Sequence, residues 1–171
     1  AGLDAARKLE FLPYLERLHD DLAIPVLYVS HARNEIARLA DHLIVLEAGR
    51  ITVAGPIDEV LTRLDLPLAR HEDASVVLPA EIIGLDAEFD LTQLAFSGGT
   101  LYVPGAPHAS HQKVRVRIQA RDVILSRSLP HDTSVLNVFP VRIEDIQPQN
   151  PSQVIVRLDA ANPGAPVDVA R

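Results

Sequence analysis

The sequence predicts an α/β segment followed by an all-β small barrel, and three observations carry that prediction. Two continuous apolar runs, Val26-Leu27-Tyr28-Val29 and His42-Leu43-Ile44-Val45-Leu46, have the composition of strands buried on both faces. Around them, apolar residues recur at three- and four-residue steps, the spacing of an amphipathic helix. Beyond residue 75 the pattern changes to short strand-like runs separated by glycine and proline turns. A chain of 171 residues with 47% apolar content makes one or two domains with ample core. The predicted boundaries are 1–64 for the α/β part, 65–75 for a connector and 76–171 for the β part.

From Ala5 to Leu22 the residues Leu9, Leu12, Leu15, Leu18 and Leu22 form one apolar helix face. Pro13 interrupts that helix, because proline removes an amide donor from the ladder. Asp4 stands just ahead of it, where a carboxylate can accept the free amides of the first turn. Pro25 bounds the next element, a parallel strand from Val26 that ends at Ser30-His31. In open α/β sheets ligands bind beyond the carboxyl ends of the strands, which makes His31 the leading site candidate. On position alone, a histidine there is equally a surface group or the cap of the following helix. That helix runs from Ala32 to Ala40 and carries Glu35 and Ile36. After the strand His42–Leu46, Ala48-Gly49 supplies a turn into Arg50-Ile51-Thr52-Val53, predicting a hairpin. Gly55-Pro56 ends the strand, and Pro56 suits the first turn of a helix carrying Ile57, Val60 and Leu61.

Asp65 to Ser75 has no strong pattern and is the connector. The β part then offers strands at Val76–Leu78, Glu81–Leu85, Leu91–Phe96, Thr100–Val103, Val114–Ile118, Val138–Ile143 and Val154–Leu158. Ser97-Gly98-Gly99 and Pro104-Gly105 are the clearest turns between them. Alternation in Val114-Arg115-Val116-Arg117-Ile118 places the arginines on the face opposite the apolar residues, a solvated face.

Composition narrows the function classes. A net charge of −7 argues against a nucleic-acid-binding surface. The absence of cysteine excludes disulfides and thiolate metal sites, and the seven histidines lack zinc-ligand spacing, so no metal site is predicted. No apolar run approaches the roughly 20 residues that span a bilayer, and Ala1 to Arg7 lacks the layout of a signal peptide. Any membrane role would come through a partner.

The order of these pieces resembles the tail of the nucleotide-binding domain of ATP-binding cassette transporters. Ala1-Gly2-Leu3-Asp4 resembles the D-loop and Ser30-His31 the switch-histidine motif, with Glu47-Ala48-Gly49-Arg50-Ile51 and Gly55-Pro56-Ile57-Asp58-Glu59-Val60-Leu61 following in the family's order. Within the β part, Thr133-Ser134-Val135-Leu136-Asn137 resembles the oxyanion-binding motif of the molybdate-binding small barrels appended to molybdate-importer ATPases. That motif runs Thr-Ser-x-Arg-Asn, and Leu136 stands at the arginine position. The resemblance implies an OB-like small barrel of the TOBE/Mop type.

It further implies an ATPase subunit that energises molybdate or tungstate import, with ATP and magnesium as its cofactors. His31 would act at the γ-phosphate, Asp4 would couple two copies, and Thr133, Ser134 and Asn137 would bind the oxyanion. The implied partners are a second copy, membrane permease subunits and, indirectly, a periplasmic binding protein. The implied location is the cytoplasmic face of the inner membrane. In the family the phosphate loop, signature motif and catalytic glutamate precede the residue matching Ala1, and further strands follow the residue matching Arg171. Phosphoryl transfer rests on those parts, so these 171 residues by themselves are expected not to hydrolyse ATP. Importers of sulfate, sugar or iron share such barrels and are the first alternative; a non-catalytic oxyanion-binding module is the second.

Overall fold

A computed structural model describes residues 11–15, 17–18, 25–70, 74–105 and 111–163. Its contacts divide the chain into two units, Ala1–Val60 and Leu61–Arg171. Among the described residues the secondary structure is mostly β, with a few short helices.

In the first unit, residues 11–15 and 17–18 are helical (α1), and Leu12 on the predicted apolar face is buried. Pro13 lies within this helical stretch and does not end it there. The rest of the helix expected over 5–22 lies outside the described residues. The strand expected at Val26–His31 is not formed: residues 25–30 have no regular pairing, and Leu27 and Val29 are 86% and 85% exposed. The physical reason is that a strand exists only through its neighbours. No described strand lies beside this run, so its apolar side chains have no sheet to pack into.

Helix α2, Arg33–Leu39, follows. The carbonyl of Ala32 accepts the amides of Glu35 and Ile36, both at 3.1 Å, and so begins the helical ladder. Strands β1 (His42–Glu47) and β2 (Arg50–Pro56) form the expected antiparallel hairpin. Its turn is Ala48-Gly49, with φ of 48° and 76°, the pair of positive values that a type I′ hairpin turn requires. Leu43 and Val45 are half-buried while Ile44 and Leu46 stay exposed, so among the described residues only one face of β1 is partly covered. Pro56 closes β2 instead of opening the helix, so α3 is Ile57–Leu61. The amide of Ile57 donates to the carbonyl of Asp41 at 2.9 Å, tying the start of α3 to the entrance of β1.

In the second unit a 3₁₀ turn, Pro67–Arg70, precedes β3. The two strands expected at 76–78 and 81–85 are one, β3, running Ser75–Asp86. The bonds at Ala74 and Ile82 point toward β6, so odd-numbered residues such as Pro79 face away from it. The pairing with β4 reaches only to Glu81, so the missing amide of Pro79 falls where no partner needs it. Strands β4 (Leu91–Phe96), β5 (Gly99–Pro104) and β6 (Lys113–Gln119) complete a four-stranded antiparallel sheet in the order β5-β4-β3-β6. Ile82, Leu94 and Leu101 lie in one cross-strand row, and with Ala80 they form the buried core. Phe96, Val103, Val114, Val116, Ile118 and Phe139 pack against it. Arg115 is exposed as expected, while Arg117 is half-buried and donates to the Ser75 hydroxyl at 3.0 Å.

A 3₁₀ turn at Ala120–Asp122 leads into residues 123–141, which have no regular structure. The strand expected at Val138–Ile143 therefore begins only at Arg142. Strands β7 (Arg142–Asn150) and β8 (Gln153–Asp159) make a separate two-stranded hairpin. The coil before it still belongs to the core, since Phe139 stacks edge-on against Phe96 at 5.2 Å between ring centres.

Candidate functional site

His31 sits in the turn between residues 25–30 and α2, and its side chain is exposed. The residues around it are held by one carboxylate. Glu35, in the first turn of α2, is 6% exposed, and its Oε2 accepts the Tyr28 hydroxyl at 2.9 Å and the Ser30 hydroxyl in a short bond. The Ser30 Oγ in turn accepts the amide of Ala32 at 3.0 Å. A buried carboxylate requires donors, and the hydroxyls of Tyr28 and Ser30 are among those that reach it. Burial and the neighbouring Glu35 carboxylate hold the Tyr28 phenol above its usual range, with the Ser30 bond opposing them. The outcome is a turn fixed on both sides of His31, by Ser30 before it and Ala32 after it, that leaves the imidazole outside.

This Tyr28–Ser30–Glu35 cluster was not singled out from sequence, although a cue existed. Tyr28 and Ser30 share a face of an extended segment by their two-residue spacing, and Glu35 opens the next helix. Asp4, the other predicted catalytic residue, lies outside the described residues.

The predicted oxyanion residues lie in the irregular stretch 123–141 of the second unit. Thr133 and Ser134 are exposed. Thr133 Oγ1 accepts the amide of Val135 at 3.2 Å, a local turn bond. Asn137 has a different role: its Oδ1 accepts the amide of Tyr102 and its Nδ2 donates to the carbonyl of Tyr102, both at 2.8 Å. The carboxamide thereby pairs with the outer side of β5 as a neighbouring strand would. Leu136 is 53% exposed, so its side chain faces space rather than core. Among the described residues, no group of three histidines or carboxylates converges as a cation site, and no helix is long and apolar enough to cross a membrane.

No family model matches the chain. It is, however, similar to curated proteins called molybdenum import ATP-binding proteins. The protein of Aromatoleum aromaticum is 50% identical over 161 residues, 94% of this chain and 43% of its own length. The one from Bordetella pertussis is 52% identical over 94% of this chain and 44% of its own length. That of Pseudomonas fluorescens is 48% identical over 98% of this chain and 47% of its own length. The chain thus spans less than half the length of the relatives it matches, and the part matched is carboxy-terminal. Over that part, and along nearly its whole length, the chain is similar at about half identity to the molybdenum import ATP-binding proteins.

Proposed function

We propose that the chain is the carboxy-terminal portion of the ATP-hydrolysing subunit of a molybdate importer. The observation that carries this is the identity of about 50% to molybdenum import ATP-binding proteins over 94% of the chain, joined to the motif order from Ala1 to Leu61. In this reading residues 1–64 end a nucleotide-binding domain, 65–75 connect, and 76–171 contribute to an OB-like barrel of the TOBE/Mop type. The open sheet β5-β4-β3-β6 and the hairpin β7-β8 are compatible with such a barrel. The subunit would work as a dimer against permease subunits at the cytoplasmic face of the inner membrane.

The chemistry proposed for His31 is transition-state stabilisation. An exposed imidazole on a fixed turn can donate a hydrogen bond to the γ-phosphate as charge redistributes during attack by water, and such a bond is worth most in the transition state. Asp4 would couple the two copies across the dimer. No cation site is formed by the described residues, so no step is assigned through magnesium, which would accompany ATP bound elsewhere in the subunit.

For molybdate or tungstate, the donors on this chain would be the Thr133 and Ser134 hydroxyls and nearby backbone amides. Asn137 would contribute by holding the segment to β5, since both polar ends of its carboxamide already bond Tyr102.

Two measurements on the full-length subunit test this. His31→Ala should largely abolish ATP hydrolysis in a phosphate-release assay while nucleotide binding survives; turnover at the wild-type rate would refute the role of His31. Calorimetric titration with molybdate and sulfate should show modest molybdate binding, tightened by Leu136→Arg through a charge-assisted bond. No molybdate heat from either protein would refute the oxyanion assignment, and preference for sulfate would move the protein to another importer class.

A further inference from the structure

We propose that Glu35 is a positioning residue for His31, acting through the hydroxyls of Tyr28 and Ser30; this inference rests on the role proposed above for His31. The geometry is specific. One buried carboxylate oxygen gathers two hydroxyls from residues that precede the histidine by three and by one. Through Ser30 Oγ the same chain of bonds reaches the amide of Ala32, the residue after it. The turn is therefore tied on either side of His31 to the first turn of α2, and the imidazole is the part left pointing out.

A surface turn needs no buried carboxylate to hold its shape. Keeping a carboxylate at 6% exposure disfavours the folded state unless its donors stay in place, so the arrangement resists any rearrangement of Tyr28 or Ser30. Such rigidity is useful where a side chain must meet a reacting group within a fraction of an ångström.

Deleting either hydroxyl removes one bond to this oxygen and leaves the carboxylate in place, which separates positioning from bulk structure. In the full-length subunit, Glu35→Ala should lower kcat for ATP hydrolysis about ten- to a hundred-fold, the scale of a small misplacement, with KM for ATP little changed. Tyr28→Phe and Ser30→Ala, which each delete one hydroxyl and keep the shape, should each lower kcat severalfold.

Full turnover in Glu35→Ala or a loss confined to KM would each overturn the proposal. If Glu35→Ala does not fold, the two hydroxyl deletions decide, and full kcat in both overturns it. Should His31→Ala itself keep wild-type turnover, the underlying role of His31 fails. If His31→Ala is inactive while Glu35→Ala is unimpaired, only the positioning role fails.

Discussion

Replacing Asn137 with alanine removes both hydrogen bonds, each 2.8 Å, that close the outer side of β5 at Tyr102. Strand β5 is an edge of the four-stranded sheet, so nothing else in the ladder pairs with those two backbone groups. A net protein hydrogen bond contributes about 0.5–1.5 kcal/mol, which gives about 1–3 kcal/mol for the pair. Asn137 and Tyr102 are both half-buried, and water can reach part of what the substitution uncovers, so the lower half of that range applies. For a unit of about 100 residues, 1–2 kcal/mol corresponds to a fall in Tm of roughly 5–10 °C. Scanning calorimetry measures it, and Asn137→Asp is the informative control. Aspartate still accepts the Tyr102 amide but turns a second oxygen toward the Tyr102 carbonyl, so it should be at least as destabilised. An alanine variant melting with the wild type, or an aspartate variant as stable as asparagine, would refute the idea that this side chain caps the edge.

At Gly98 an added Cβ would lie 2.6 and 2.7 Å from the ring of Phe96 and 2.8 Å from the Cβ of Ala160. Phe96 is pinned by its edge-on contact with Phe139, so Gly98→Ala should cost about 1–3 kcal/mol in urea unfolding. The carboxyl of Asp159 is held below its usual range, first by the amide of Asn162, then by the amide of Ala161 and by Arg142, against some desolvation. A depressed carboxyl contributes stability above its unfolded pKa and loses it as pH falls through the folded value. Thermal melts across the acid range should therefore decline less steeply for Asp159→Asn than for wild type.

Much of the β architecture was legible because a strand with one covered face writes its period into the sequence. Val114, Val116 and Ile118 alternate with two arginines, and Leu91–Phe96 and Gly99–Pro104 are separated by Ser97-Gly98. The hairpin turn at Ala48-Gly49 was legible for the same local reason. What composition could not supply was pairing. Val26–Val29 has the residues of a buried strand, but burial belongs to the neighbours and not to the run itself. The two runs expected at 76–78 and 81–85 are joined across Pro79, a breaker only where an amide is required. At the candidate site, His31 is proposed from its place in the motif order, whereas the bonds from Tyr28 and Ser30 to Glu35 were not foreseen. A carboxylate in a first helical turn has an ordinary structural explanation until the two hydroxyls are seen to meet it.

Strand β3 belongs to two ladders that meet at Glu81, which is opposite Ala95 in one and Lys113 in the other. Its second half pairs with β4 across the tight turn at 87–90, where Asp86 accepts the amides of Glu88 and Phe89 at 3.1 and 3.3 Å. Its first half pairs only with β6, which begins at Lys113, after β4 and β5 have intervened. Loop closure disfavours the longer connection, so the two halves are expected to enter the sheet at different times during folding. The β3–β4–β5 meander can form as a local nucleus, and Ser75–Ala80 then waits as an unpaired edge until β6 arrives. On the opposite edge of that half, which β4 does not reach, the absent amide of proline at position 79 interrupts the row of donors that another chain would need in order to add a strand there.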